Sequence, residues 1–439
     1  MNNLLPENET GKYYNTIDSI SSDFIQSICY ASATGGKTMK DIVALILAGG
    51  RVEELGVLTV ERAKSSVPFG GSYRIVDFAM SNLARSQIDK IGILSQYRPS
   101  SLMDHIGNGE SWGVVGRGRT VRVLPPYQAD AGLKWYKGTG DAVWQNRDFY
   151  KRSEHVLIIS GDHIYGMDYR PIIERHLKED ADATVVLKEL ESKKDLESFG
   201  IGMVDQDGLL TDFEEKPHEP KSSLGSLTIM VFKREKLDAC LERVMSKSET
   251  ANISSDVIPY LVKNGKVIGH SYAGYWAYAR SIDDYFNASM DMLTPELGLS
   301  PDHWQTTTNV EESGLGKAPP FHVGGPARVR NSRISTGCRI FGTVVNSILS
   351  PGVAVEEGAV VENSVRMHDC IVEKNAALIR AICDKRTRIG KESSVGRASG
   401  SVPNERYSSS HTGGATVIGK AVFVPPGSSI GANVQVMPN

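Results

Sequence analysis

A glycine pair, Gly49-Gly50, follows directly on the apolar run IVALILA at 42–48 and precedes Arg51 and, further on, Lys64 in the string RAK. A glycine turn after a buried strand lets backbone N–H groups approach a phosphate, and a nearby lysine supplies a compact positive charge. The pair could equally be no more than a sharp strand-to-helix turn. Its spacing is neither the GxGxxG of dinucleotide folds nor the GxxxxGK[ST] of P-loop enzymes, so both are set aside. A second string, IISGDH at 158–163, ends an apolar run on Asp162. Carboxylates at strand ends hold Mg2+ beside substrate phosphates, and Asp256 in SSDVIP at 254–259 is the second such candidate. Either aspartate could instead cap a helix. His163 could be a further ligand, but it reads first as a packing or hydrogen-bonding residue. In DFEEKP at 212–217, an acid stands beside a lysine, Glu215 and Lys216. That pair suits a sugar phosphate, the carboxylate accepting hydroxyls and the ammonium holding phosphate; a solvated charge cluster on a turn is the alternative. WYKGTGDA at 135–142 adds aromatic and glycine contacts of the kind sugar sites use.

These strings need a scaffold that brings strand ends together. The runs at 42–47, 90–95, 156–160 and 183–187 are strand-like, with helix-like stretches between them at 73–86 and 141–151. Continuous apolar strands alternating with helices predict a mostly parallel α/β sheet, whose ligands sit beyond the carboxyl ends of the strands. Beyond about residue 320 the texture changes. Val353, Ala359, Val365, Ile371, Ala377, Cys383, Ile389 and Val395 recur every six residues, and Ile418, Val424 and Ile430 resume the spacing. Ile334 and Ile340 are a further pair out of phase. A six-residue period predicts a parallel β-helix whose three sides each contribute an inward apolar residue; a β-sandwich with chance spacing is the competing reading. The period breaks between 395 and 415, where a long loop is expected.

Composition narrows the function classes. The chain has 439 residues, 49 Lys plus Arg against 52 Asp plus Glu, for a net charge of −3. A polyanion binder carries a basic surplus, so nucleic acid is not the expected partner. No apolar run approaches the roughly 20 residues that span a bilayer, so no membrane association is expected. Five scattered cysteines without a CxxC pair point to a reducing compartment, read as the cytoplasm. Residues 1–38 lack a signal-peptide pattern and read as a partly disordered extension.

In chain order, LILAGGR, RAK, VPFGG-YRI-DF-SN, LPPYQ, WYKGTGDAVWQN, SGDHIYGMDY, FGIGMVD, FEEKP, SDVIP and GYW resemble the bacterial glucose-1-phosphate adenylyltransferase (ADP-glucose pyrophosphorylase) family. The resemblance spans about residue 40 to the end. SGDHIYGMDY and WYKGTGDAVWQN separate the chain from the relatives that use GDP-mannose, UDP-glucose and dTDP-glucose. It implies a Rossmann-like, mostly parallel nucleotidyltransferase domain at 39–292, a linker at 293–322 and a left-handed parallel β-helix at 323–439. It also implies ATP and glucose 1-phosphate as substrates, Mg2+ as cofactor, a tetramer formed alone or with a paralogue, and small-molecule allosteric effectors. Carried over residue by residue, Lys64 and Asp162 are catalytic, and Asp162 and Asp256 hold the metal. Tyr136, Gly200, Glu215, Lys216 and Ser226 meet glucose 1-phosphate. Gly49, Gly50, Arg51, Gln128, Gly138 and Asp141 meet the nucleotide.

The chain departs from the family pattern AGGRGxRLxPLT followed by RAKP, and at two places beyond it. Here the loop reads AGGRVEELGVLT at 48–59, then RAKS at 62–65, so Val52 stands for a glycine and Glu54 for an arginine. One unit-charge pair at ~4 Å and an effective dielectric near 20 is worth roughly 4 kcal/mol, so exchanging attraction for repulsion weighs on triphosphate binding. Thr228 replaces a glycine after Ser226, and Ala277-Tyr278 replaces an Arg-Asp pair after Trp276. Three readings follow: an ADP-glucose-forming enzyme, a catalytically weak or inactive regulatory subunit of a hetero-oligomer, and a nucleotidyltransferase for another sugar 1-phosphate.

Overall fold

The computed structural model describes residues 41–50, 53, 55–126, 128–129, 132–133, 135–311, 315–396, 403–406 and 411–438. Arg51, Val52, Glu54, the extension 1–38 and parts of the loop at 397–414 lie outside them. The strands that frame the site are β1 (Ile42–Leu47), β2 (Lys90–Leu94), β3 (Thr120–Leu124), β4 (His155–Ser160), β5 (His163–Tyr165) and β6 (Ala183–Glu189). They continue with β7 (Gly200–Val204), β8 (Leu210–Glu215), β9 (Leu224–Lys233), β10 (Val267–Ser271) and β11 (Trp276–Tyr278). One nine-stranded sheet runs β8-β7-β9-β4-β1-β2-β3, with β6 pairing both β9 and β10. β1 lies at its centre and is buried on both faces, which is why its sequence is apolar throughout rather than alternating.

The sheet is mixed, which corrects the expectation of a mostly parallel one. β1 runs parallel to β2 and β4, β2 to β3, and β6 to β10, but the ladders β4–β9, β7–β8, β7–β9 and β6–β9 are antiparallel. An apolar run reports burial and not direction. The reversal is set by the hairpin β7–β8, whose turn places Gly208 at φ +79°. A separate two-stranded ladder pairs β5 with β11, setting Tyr278 opposite His163.

From His322 onward the chain winds into a left-handed parallel β-helix of three six-stranded parallel sheets, each strand two or three residues long. The corners are turned by residues in the left-handed region, among them Asn346, Asn363, Asn375 and Glu392, so each side is short and the coil closes. Val353, Ala359, Cys383, Ile389 and Val395 belong to the coil's core, as the hexad spacing predicts. Three of its positions do not. At Ile371 and Ala377 the inward residues are instead Val372 and Leu378, stacked on Ile389 and Val395. Val365 faces out of the coil and packs against the preceding domain. The coils are not of equal length: Ile340 stacks on Val355, fifteen residues on, whereas Val355 stacks on Val372, seventeen on. A strict period of six therefore slips phase. The long excursion expected near 395 lies between Val395 and Thr416, where Cys383 stacks on Ile418.

Ile42–Asn439 form one compact unit. On one coil face Ile348, Val365, Ile382 and Val417 make an outward column packed against Ile282, Tyr285 and Phe286 of α1 (Ile282–Asp291). That helix begins in a capping box, Ser281 and Asp284 exchanging side chain-to-backbone bonds at 3.1 Å. Arg62 adds a buried bidentate pair to Asp384 at 2.9 and 2.7 Å, and Gln435 Oε1 accepts the Val57 N–H at 3.0 Å.

Candidate active site

A cavity of about 680 Å³ opens beyond the carboxyl ends of β1 and β4, where Leu47 to Gly50, Ser160 and Asp162 meet the ends of β7, β8 and β11. Gly49 is required by a close approach: a Cβ there would lie 2.8 Å from the Gln96 nitrogen and the Ser95 Cα. A Cβ on Gly50 would meet nothing within 4 Å, so its backbone is open to the cavity.

The charged centre is Asp162. Its Oδ2 lies 2.8 Å from Lys64 Nζ, and Ser160 Oγ donates to its Oδ1. Burial by itself would raise the Asp162 carboxyl, but the Lys64 ammonium and the hydrogen bonds outweigh it and hold the group below the usual range. Lys64 is 4% exposed and does not line the cavity; it reaches it through Asp162 and through Tyr278, whose ring centroid is 3.7 Å from Nζ. His163 accepts the Trp276 indole N–H at 3.3 Å. Burial pulls its pKa down to about 4 against the opposing pull of Asp162, so at neutral pH it is an uncharged packing residue, as its sequence context suggests.

The opposite wall carries the sugar-phosphate candidates. Gly200 pairs with Glu215 across β7 and β8, and a Cβ at Gly200 would lie 2.4 Å from the Phe213 ring and 2.8 Å from Glu215 Oε2. The glycine thus makes room for the carboxylate, which burial pushes upward against the pull of Lys216. Lys216 has φ 50° and donates its N–H to Phe199 O at 3.1 Å, a turn that sets it just past the strand. Ser226 lies on β9 opposite Leu187, at a register shift, and Thr228 two residues on has φ 51°. Tyr136 donates its hydroxyl to Leu124 O at 3.0 Å and its N–H to Gln96 Oε1 at 2.8 Å, and burial pushes the phenol up to about 12. Gly138 has φ 116°, and a Cβ there would lie 2.3 Å from Ala251 O.

Gly49, Gly50, Tyr136, Gly138, Asp162, Gly200, Glu215, Lys216 and Ser226 are therefore brought together around one cavity. Asp141 and Asp256 are not in its lining. Asp141 accepts from Lys137 N at 2.7 Å and Gln145 Nε2 at 2.9 Å, pinning its own loop. Asp256 Oδ2 accepts from Asn252 N at 2.6 Å, so its carboxylate closes the turn that carries Asn252 to Ser255 into the cavity wall. The expected second metal ligand is thus engaged by its own backbone, the local role such a residue has at a helix start. Gln128 lies on a short strand paired with Leu133; its side chain and Arg51 are outside the described residues. Among the lining residues that sequence reasoning passed over are Gln96, Ser198, Asn252 and Arg280. Gln96 did carry a signal, a polar residue just past the run KIGILS.

Among the described residues no three His, Cys, Asp or Glu side chains cluster as a metal cage. Mg2+ does not demand one: it binds through one or two carboxylates and completes its shell with water and substrate phosphates. Asp162, ionised at the cavity wall, fits that sparse mode.

Residues 43–294 match the Nucleotidyl transferase family, and residues 322–418 match the GlmU-like, C-terminal hexapeptide family. The chain is similar to the glucose-1-phosphate adenylyltransferase of Acetivibrio thermocellus, 36% identical over 91% of this chain and 93% of that one. It is likewise similar to those of Desulforamulus reducens, 36% identical over 91% and 98%, and of Thermomicrobium roseum, 40% identical over 91% and 94%. Nucleotidyltransferases of this kind use a divalent metal, which agrees with the donor at Asp162. No helix among the described residues is long and apolar enough to cross a membrane. With the mixed sheet, the hexad coil and matches over nine-tenths of its length, the chain belongs to the nucleotidyl transferase family, among the glucose-1-phosphate adenylyltransferases.

Proposed function

We propose that the chain joins ATP and glucose 1-phosphate to give ADP-glucose and pyrophosphate, with Mg2+, as a step of glycogen or starch synthesis. The observation that carries this reading is the single cavity holding Gly49-Gly50 and Asp162 on one side and Glu215, Lys216 and Ser226 on the other. Glu215 would accept glucose hydroxyls, Lys216 would neutralise the sugar phosphate, and Tyr136, Gly200 and Ser226 would shape that end. Gly49, Gly50, Gly138 and the Gln128 and Arg51 segments would meet the nucleotide. Asp162 would hold Mg2+, which when bound supplies charge neutralisation and a fixed orientation for the phosphates.

Glucose 1-phosphate is largely dianionic at neutral pH, because the second pKa of a phosphomonoester is near about 6. Its oxygen can therefore attack the α-phosphorus of ATP without a general base. The new O–P bond forms as the bond from the α-phosphorus to the bridging oxygen breaks, and pyrophosphate leaves with that oxygen. The protein's task is alignment and neutralisation. A neutral His163 agrees with this, since no side chain beside Asp162 is needed as a proton shuttle. The chain's place is the cytoplasm, where its four described cysteines, all buried and unbonded, would remain reduced. A tetramer, alone or with a paralogue, and small-molecule effectors accompany this reading.

Purified chain given ATP, glucose 1-phosphate and Mg2+ is expected to release pyrophosphate and form ADP-glucose. Asp162→Asn, which removes the carboxylate charge with little change of shape, is expected to abolish turnover. Absence of turnover in the parent would overturn the reading. Val52 and Glu54 favour the second reading, a regulatory subunit, and changed kinetics on mixing with an active paralogue would then identify it.

A further inference from the structure

We propose that Tyr278 is a positioning residue for Lys64, holding the ammonium through the face of its ring so that its charge stays available to phosphates in the cavity. The inference rests on the adenylyl-transfer reading above. Two neighbours of Lys64 differ in kind: the Asp162 carboxylate at 2.8 Å and the Tyr278 ring centroid at 3.7 Å. Both are reached from a site where Lys64 is 4% exposed, and a desolvated ammonium gains more from an aromatic face than an exposed one does. The two neighbours differ in what they leave behind. A carboxylate neutralises the lysine and is itself claimed by whatever cation the site takes up. A ring face attracts the ammonium without cancelling its charge, and no ion competes for it.

The ring is held in place independently of Lys64. Its backbone ends β11, paired with His163 on β5, so the ladder that carries Tyr278 abuts Asp162 as well. Its edges and faces meet His163 at 4.8 Å, Phe199 at 5.5 Å and Trp276 at 6.5 Å between centroids. A lysine has four rotatable bonds and loses much rotamer freedom when fixed. A rigid aromatic platform removes that freedom before substrate arrives, and the benefit falls on the alignment of the reacting phosphates. Phe199 links this platform to the sugar-phosphate side, its carbonyl accepting the Lys216 N–H.

The test is a graded series at position 278: Tyr278→Phe, its mono-, di- and trifluorinated phenylalanine analogues, and Tyr278→Leu. Fluorine drains the negative face of the ring at nearly constant volume, so folding is held while the cation contact weakens. Pyrophosphate release is followed against ATP and against glucose 1-phosphate separately. Tyr278→Phe is expected within about twofold of the parent, the fluorinated variants progressively slower, and Tyr278→Leu about 3- to 30-fold lower in kcat. The KM for ATP is expected to rise along the series and that for glucose 1-phosphate to stay unchanged. A flat series, or a Phe variant as slow as Leu, overturns the proposal while leaving the proposed reaction standing. If the parent makes no ADP-glucose, the reaction reading fails instead. Pyrophosphate binding by calorimetry on the same variants then decides this proposal: affinity falling with fluorination supports it and constant affinity overturns it.

Discussion

Thr228 is the one β-branched residue among the described residues whose backbone is held at a positive φ. Its φ is 51°, a left-handed conformation in which a β-branched side chain is strained by about 1–3 kcal/mol. It sits on β9 beside the register shift at Ser226, in the cavity wall. Thr228→Gly relieves the strain but adds roughly 0.5–1 kcal/mol of unfolded-state entropy, leaving a net gain of about 1 kcal/mol. For a chain of this size that is a rise of about 1–2 °C in melting temperature, read by scanning calorimetry. A lower melting temperature would show that the threonine's contacts outweigh its strain. At this scale the sequence was informative where an acid or a glycine stands at or just past a strand end, as Asp162, Glu215 and Gly49 do around one cavity. Asp141 and Asp256 carry a local role that their strings do not announce, because a carboxylate near a turn can accept a nearby backbone N–H, as each does here. The partnership of Lys64 with Tyr278 is between residues 214 positions apart and leaves no local trace.

The coil shows what an element's periodicity can and cannot reveal. Six-residue spacing is enough to specify a three-sided β-helix, because every side must bury one apolar side chain. It does not specify which of two adjacent apolar residues faces inward, since the outward one is also apolar where the coil is covered. Ile348, Val365, Ile382 and Val417 are such outward residues, and their inward neighbours in register are Leu349, Arg366, Cys383 and Ile418. Arg366 is therefore a guanidinium in the middle of an apolar column, fully buried between Leu349 and Cys383. Its Nη1 meets Cys383 Sγ, while Nε and Nη2 have no hydrogen-bond partner among the described residues. An arginine cannot discharge itself by losing a proton, so the coil carries the desolvation cost. Arg366→Met keeps the length and the stem while removing the charge, and is expected to stabilise the protein by about 1–4 kcal/mol. Urea denaturation followed by far-UV circular dichroism would show a higher midpoint at unchanged slope; a lower midpoint would mean that the guanidinium is better satisfied inside the coil than its contacts indicate.

Over the whole molecule, the decisive question is whether the sheet domain and the coil act as one body, and this was the least legible feature in the sequence. Pattern reading separates the halves because their periods differ, and nothing in either period announces the other. Among the contacts that join them are a shared apolar cluster and a buried ion pair, Arg62 with Asp384, separated by 322 residues. The pair is 4% and 1% exposed and bidentate. Arg62→Met would leave Asp384 buried without its counter-charge, at a cost of about 3–5 kcal/mol, whereas Arg62→Met combined with Asp384→Leu would recover most of that loss. The two halves can be watched separately, because Trp112, Trp135, Trp144, Trp276 and Trp304 all precede the coil. Tryptophan fluorescence therefore reports on the sheet domain, while far-UV circular dichroism reports on both. In the parent the two urea transitions are expected to coincide. In Arg62→Met the midpoints should fall and separate, and in the double variant they should converge again. Coincident transitions in all three proteins, with Arg62→Met unshifted, would show that the ion pair does not couple the halves.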